Sequence, residues 1–278
     1  MDTPLSLLLL LMLVAFGSAI IGGRGGFGTG IILTATLTPI LGIKAVVPLL
    51  ALAGIIINLG RFWFYRHDFD RRAVKLVLPP ALLCLVGGTL TYRHLDPAPL
   101  AIVIGLVVLA ALPARRWLQA HKLQLGTRGL AVGGGVFGFL NGIASGMGVV
   151  LISLLLGAGL SGTAVLATDA LITIVVDIVR VLIFGKLDLI DLSGVVLGGI
   201  IGLASLPGSW VASLLVHRMG HKLHIAIIEV LIAIGGLSIR ITDCGQAENR
   251  YQSIPCHPTA KRWGRLRILP MIFMTLKI

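Results

Sequence analysis

Long apolar runs alternate with short polar or glycine-rich breaks from Leu5 to Ile239. Eight runs read as spans: Leu5–Ile21, Ala45–Tyr65, Val74–Leu90, Pro97–Pro113, Gly129–Leu140, Thr163–Phe184, Leu192–Val216 and Leu223–Ile239. They lack the strict alternation of strands and are too long for them, which argues against a β-barrel. Two shorter apolar pieces, Ile31–Ile43 and Val149–Leu160, follow glycine-rich blocks. As helices they would be roughly 20 Å long against a hydrocarbon core of about 30 Å, so they read as half-helices or re-entrant segments. Without them the chain crosses eight times; with them, ten.

The two breaks match. The first is Gly22-Gly23-Arg24-Gly25-Gly26-Phe27-Gly28-Thr29-Gly30; the second is Asn141-Gly142-Ile143-Ala144-Ser145-Gly146-Met147-Gly148. Gly30-Ile31-Ile32-Leu33 is echoed by Gly148-Val149-Val150-Leu151, and Arg61 near one span end by Arg180 near another. Glycine merely lets helices pack closely in many membrane proteins. Two matched clusters beside short segments point instead to a cavity between repeats, as in secondary transporters. The expected organisation is a transmembrane domain over residues 1–240, with halves at about 5–113 and 129–240.

Composition agrees: 56% of the 278 residues are hydrophobic and 12% are charged, against about 25% charged in a soluble domain. The class expected is an all-α polytopic membrane protein. A net charge of +12 would suggest nucleic acid if it were clustered on a soluble face. Here it lies in short loops and the C-terminal tail, so no nucleic-acid partner is expected. Leu5–Ile21 lacks the basic start of a signal peptide and is read as the first span. Cys84, Cys244 and Cys256 form no CxxC or disulfide framework.

Two basic loops, Arg66 to Lys75 and Arg115 to Arg128, are separated by two spans and can both be cytoplasmic. With eight spans, both termini are cytoplasmic and the halves are parallel. Ten crossings would invert the second half.

Few polar residues interrupt the spans, and each charge at a helix centre costs about 2.5–3.5 kcal/mol. Asp169 and Asp177 share a face of one span, with Arg180 one turn beyond Asp177. Asn58 and Arg61 repeat that spacing in the first half, and Glu229 lies in the last span. One reading makes them a polar pathway for a small anion. Half-helix N-termini offer amide donors, the arginines offer planar recognition of an oxyanion, and an acid can carry a proton. The other reading is structural. The arginines snorkel to the cytoplasmic face, Asp177 neutralises Arg180, Asp169 and Glu229 are solvated caps, and Asn58 bridges helices. Thr29 and Ser145 are hydroxyl donors beside the glycines.

His217, His221 and His224 cluster at a span boundary and are read as interfacial rather than metal-binding. No GxSxG, HExxH, P-loop or Rossmann context occurs, so neither a cofactor nor a metal is expected. Residues 241–278 are polar and basic with no helical period, and read as a disordered tail.

These residues resemble the TauE/SafE family of membrane permeases, the sulfite exporters, over about residues 5–240. The resemblance rests on Gly26-Phe27-Gly28-Thr29-Gly30, on Gly138-Phe139-Leu140-Asn141-Gly142 with Ser145-Gly146-Met147-Gly148, and on Ala167-Thr168-Asp169-Ala170 with Arg180. Asn58, Arg61 and Tyr65-Arg66 add to it. Thr29 stands where the family has a glycine. The resemblance implies movement of a small sulfur-containing or organic anion, such as sulfite or a sulfonate, across the cytoplasmic membrane, with proton coupling as an option.

The expected binding residues are Gly26, Gly28, Thr29, Gly30, Asn58, Arg61, Asn141, Ser145, Gly146, Gly148, Asp169, Asp177 and Arg180. The expected partners are a small anion and membrane lipid. The alternatives are a non-transporting scaffold subunit, which needs no polar interior, and a membrane-embedded enzyme, for which no nucleophile and base are in place.

Overall fold

Glycine and clustered charge set the helix boundaries. The computed structural model describes residues 5–22, 28–96, 99–100 and 125–215, and their regular structure is helical throughout. Among the described residues eight helices have both ends placed: α1 (Leu5–Gly22), α2 (Gly28–Leu41), α3 (Ile43–Tyr65), α4 (Arg71–His94), α5 (Thr127–Ile143), α6 (Gly148–Gly157), α7 (Thr163–Lys186) and α8 (Leu192–Leu215). They are not the eight runs read as spans. α2 and α6 are the two short pieces, while Pro97–Pro113 (all but residues 99–100) and Leu223–Ile239 lie outside the described residues, as does the tail. By length and composition Ile43–Tyr65, Arg71–His94 and Leu192–Val211 can each cross a membrane.

Local chemistry explains the ends. α2 stops at Gly42, whose φ of 79° suits glycine. α4 begins where Asp70 accepts a hydrogen bond from the Ala73 amide at 2.7 Å, an N-cap that starts the helix three residues before the apolar run. Thr34, Thr36 and Thr38 each donate to the carbonyl four residues back, at 2.8, 2.8 and 2.6 Å. Their hydroxyls are thereby satisfied inside an apolar helix.

α5 packs on α4 more extensively than any other described pair. A methyl on Gly134 would lie 2.7 Å from the Val77 carbonyl oxygen, and one on Gly142 2.7 Å from the Thr89 amide nitrogen. One on Gly138 would strike the Ala81 carbonyl. Four-residue spacing puts these glycines on one face, so the two backbones approach closely. For Gly142 the packing reading is the correct one.

The same contacts give direction. Positions 77, 81 and 88 meet 134, 138 and 142, so α4 and α5 run parallel. Asp70 meets Thr168 and Tyr92 meets Phe184, so α7 is parallel to α4. Positions 49, 53 and 60 meet 198, 202 and 206, so α8 follows α3. Ala15 meets Ser205 and Ala19 meets Gly208, so α1 follows α8. Gly54 meets Asp177 and Arg61 meets Asp169, so α3 and α7 are antiparallel. Hence α1, α3 and α8 run one way, and α4, α5 and α7 the other.

This corrects the orientation drawn from eight spans. That scheme set α1 against α3 and α5 against α7, whereas each pair runs the same way. The physical reason is that α2 and α6, though short, each reverse the chain before the next long helix begins.

Candidate functional site

Antiparallel packing of α3 on α7 brings their polar residues together. Asp169, Thr173, Asp177 and Arg180 follow at spacings of four, four and three and form one stripe along α7. Asp169 is 1% exposed, Asp177 5% and Arg180 1%. They line a cavity of about 80 Å³. That is room for several waters or one small oxyanion. α3 adds Gly54, Asn58 and Arg61 to the wall, the end of α5 and its following break add Asn141, Ser145 and Gly146, and the first turns of α2 and α6 add Thr29, Gly30 and Gly148.

Arg61 Nη1 donates to Asp169 Oδ2 at 2.9 Å, an ion pair between α3 and α7. Arg61 Nη2 also donates to Asn58 Oδ1, and Asn58 Nδ2 donates to its own helix at Gly54 O, 2.8 Å away. Asn58 therefore orients Arg61 and does not bridge helices. Asp169 is no solvated cap, because the partner helix covers it.

The second half is wired differently. Asp177 Oδ1 accepts from Asn141 Nδ2 at 3.1 Å, and Asp177 forms no ion pair with Arg180. Gly54 makes space for it: a methyl there would lie 2.6 Å from Asp177 Oδ2. Arg180 does not snorkel. Its Nη1 donates to Ser145 Oγ at 3.3 Å, and its guanidinium lies 5.2 Å from the Phe184 ring centre. Ser145 in turn donates to Val47 O at 3.1 Å, so this hydroxyl is spent holding Arg180 in place. Phe184 is packed by Tyr92, whose hydroxyl donates to Lys44 O at 2.8 Å.

Among the described residues, four buried side-chain atoms have no partner in the protein: Asp169 Oδ1, Thr173 Oγ1, Arg180 Nε and Arg180 Nη2. All four belong to cavity-lining residues of α7. Buried polar groups are normally satisfied, so four in one cavity call for an occupant. The Nε and Nη2 hydrogens of arginine point the same way, and together they grip two oxygens of one oxyanion.

The helix starts add to this. α2 and α6 both begin at the cavity wall, and a helix N-terminus favours negative charge. The two breaks also touch: a methyl on Gly30 would lie 2.9 Å from Gly146 Cα.

Of the thirteen residues expected at a site, eleven line this cavity. Gly28 opens α2, but its surroundings lie outside what is described, and Gly26, like Glu229 and the three histidines, lies outside the described residues. Sequence reasoning passed over Thr173 and Gly54. Thr173 sits midway between Asp169 and Asp177 on their face, a legible signal. Gly54 carries none, since its task depends on a carboxylate from another helix.

Helices built for a membrane and closed around a charged, partly unsatisfied hollow define a polytopic membrane protein with an interior polar cavity. The family model described as sulfite exporter TauE/SafE matches residues 11–239, and the chain belongs to that family. It is a membrane transporter by that membership. Neither a curated protein nor a solved structure matches the chain.

Proposed function

We propose that the chain is a secondary permease that moves a small sulfur-containing or organic oxyanion, such as sulfite or a sulfonate, across the cytoplasmic membrane. The cavity between α3 and α7 is its substrate site. The observation that carries this reading is Arg180. It is fully buried, its Nη1 is fixed by Ser145, and its Nε and Nη2 have no protein partner. A scaffold subunit has no use for such a group, which is costly to bury without a counterpart. Large apolar side chains on the outer surface, among them Leu13, Trp63, Phe64 and Leu83, suit contact with lipid. The opposite directions of α1 and α5, of α3 and α7, and of α4 and α8 support two inverted repeats meeting at the site. Flux of labelled sulfite and methanesulfonate into proteoliposomes tests the reading. Wild-type protein should carry at least one of them, and Arg180→Lys should lose most of that flux while inserting normally. Equal flux in both proteins would remove Arg180 from the site.

A further inference from the structure

The charged groups lining the cavity are Arg61 and Arg180 against Asp169 and Asp177. Their formal sum is zero. A monoanion alone would leave one net negative charge in a largely buried site, which is costly. Resting on the permease reading, we propose that the cavity takes its oxyanion together with one proton, carried on Asp169, so that anion and proton cross as a neutral pair.

Geometry singles out Asp169. Its Oδ2 is held by Arg61, while its Oδ1 lies buried with no partner and is open to a proton. Asp177 is less suited, because its Oδ1 already accepts from Asn141. The step balances simply: the carboxylate gains one proton and becomes the neutral acid. The Arg61 charge, no longer cancelled by Asp169, then balances the anion gripped by Arg180.

The other charged groups around Asp169 are few. α3 presents Arg61, and α7 itself carries Asp177 and Arg180. α4 brings Asp70, whose amide donates to the neighbouring Thr168 hydroxyl at 2.9 Å and whose carboxylate caps Ala73. α2 and α6 contain no charged residue. The wiring of the halves is thus unequal: one arginine is held for the anion, and one is engaged by the acid that takes the proton.

The test uses the full chain in proteoliposomes holding a pH dye, with sulfite and methanesulfonate as probes. Methanesulfonate stays ionised across the working range, so any proton that moves with it must ride on the protein. With the membrane potential clamped at zero, an inwardly directed proton gradient should concentrate methanesulfonate by about tenfold per pH unit. The interior should acidify in step. Asp169→Asn should lose this accumulation, and Asp169→Glu should restore part of it. Uptake that follows the membrane potential and ignores the pH gradient would overturn the neutral pair while leaving the permease reading intact. Gradient-driven accumulation in Asp169→Asn would also overturn it, by placing the proton elsewhere. If the Asn variant fails to fold, the wild-type comparison of pH gradient against potential decides alone. Failure of wild-type protein to move either probe would sink both the pair and the permease.

Discussion

Gly30 in the first turn of α2 and Gly146 in the break before α6 meet backbone to backbone, and a methyl on Gly30 would lie 2.9 Å from Gly146 Cα. This contact joins the two interrupted segments at the wall of the cavity. Gly146 also has a φ of 87°, a conformation that costs other residues about 1–2 kcal/mol. Gly146→Ala should destabilise the protein by that amount plus a steric term, since its methyl would lie 2.9 Å from the Ile31 amide nitrogen. Gly42→Ala is the control. It has a positive φ of 79° with ψ at 148°, a region essentially restricted to glycine, and open space around it, so it should show a purely conformational cost of about 1–3 kcal/mol without the clash. Unfolding in detergent of the two variants measures the difference.

Arg180→Lys keeps the charge and removes the two-pronged grip. Losing a hydrogen bond to a charged group costs about 1.5–3 kcal/mol, so apparent anion affinity should fall roughly 10- to 150-fold. Concentration dependence of flux reads this. Ser145→Ala should weaken affinity in the same direction by less, because it frees Arg180 without deleting it.

The Arg61–Asp169 pair links α3 to α7. Arg61→Ala leaves a buried carboxylate uncompensated and should cost about 3–5 kcal/mol. Replacing both residues with Ala should cost less than the sum of the single changes. A double-mutant cycle on unfolding checks the coupling; strict additivity would show that the pair contributes nothing.

Direction is testable by labelling. Because α4 and α7 run parallel, residue 94 at the end of α4 and residue 188 just past the end of α7 should face the same side of the membrane. Cys at His94 or at Asp188, in a background without the three native cysteines, should react with an impermeant maleimide from that one side. The parallel-halves scheme places them on opposite sides.

Asp191, in the connection before α8, accepts from the Ser193 hydroxyl and from the Gly194 amide at 2.8 Å. These two bonds hold its carboxyl below the ordinary carboxylate value of 3.8. A depressed folded value means that the cap stabilises above the unfolded value and is lost as pH falls through the folded one. Acid titration of thermal stability should show this loss in wild-type protein, and Asp191→Asn should flatten that part of the curve.

The sequence by itself determined the class of protein, the approximate place of each described helix and the short list of polar residues that lipid cannot accommodate. These are local or additive properties: run length, glycine breaks, and the solvation cost of each charge. Eleven cavity residues were legible: the Asp, Arg and Asn side chains because polar groups are conspicuous against apolar sequence, and the rest because they lie in the two matched glycine breaks. What each one does was not. Whether Arg180 snorkels, whether Asp177 or Asp169 holds an arginine, and which donors remain open depend on groups more than thirty residues away. Ser145, Asn141 and Arg61 reach them only after α3, α5 and α7 have packed. Direction was decided there too. The loop charges are few and fall on both sides of either scheme, whereas the antiparallel pairing of α3 with α7, and the shared direction of α1 and α3 along α8, permit only one sense of travel.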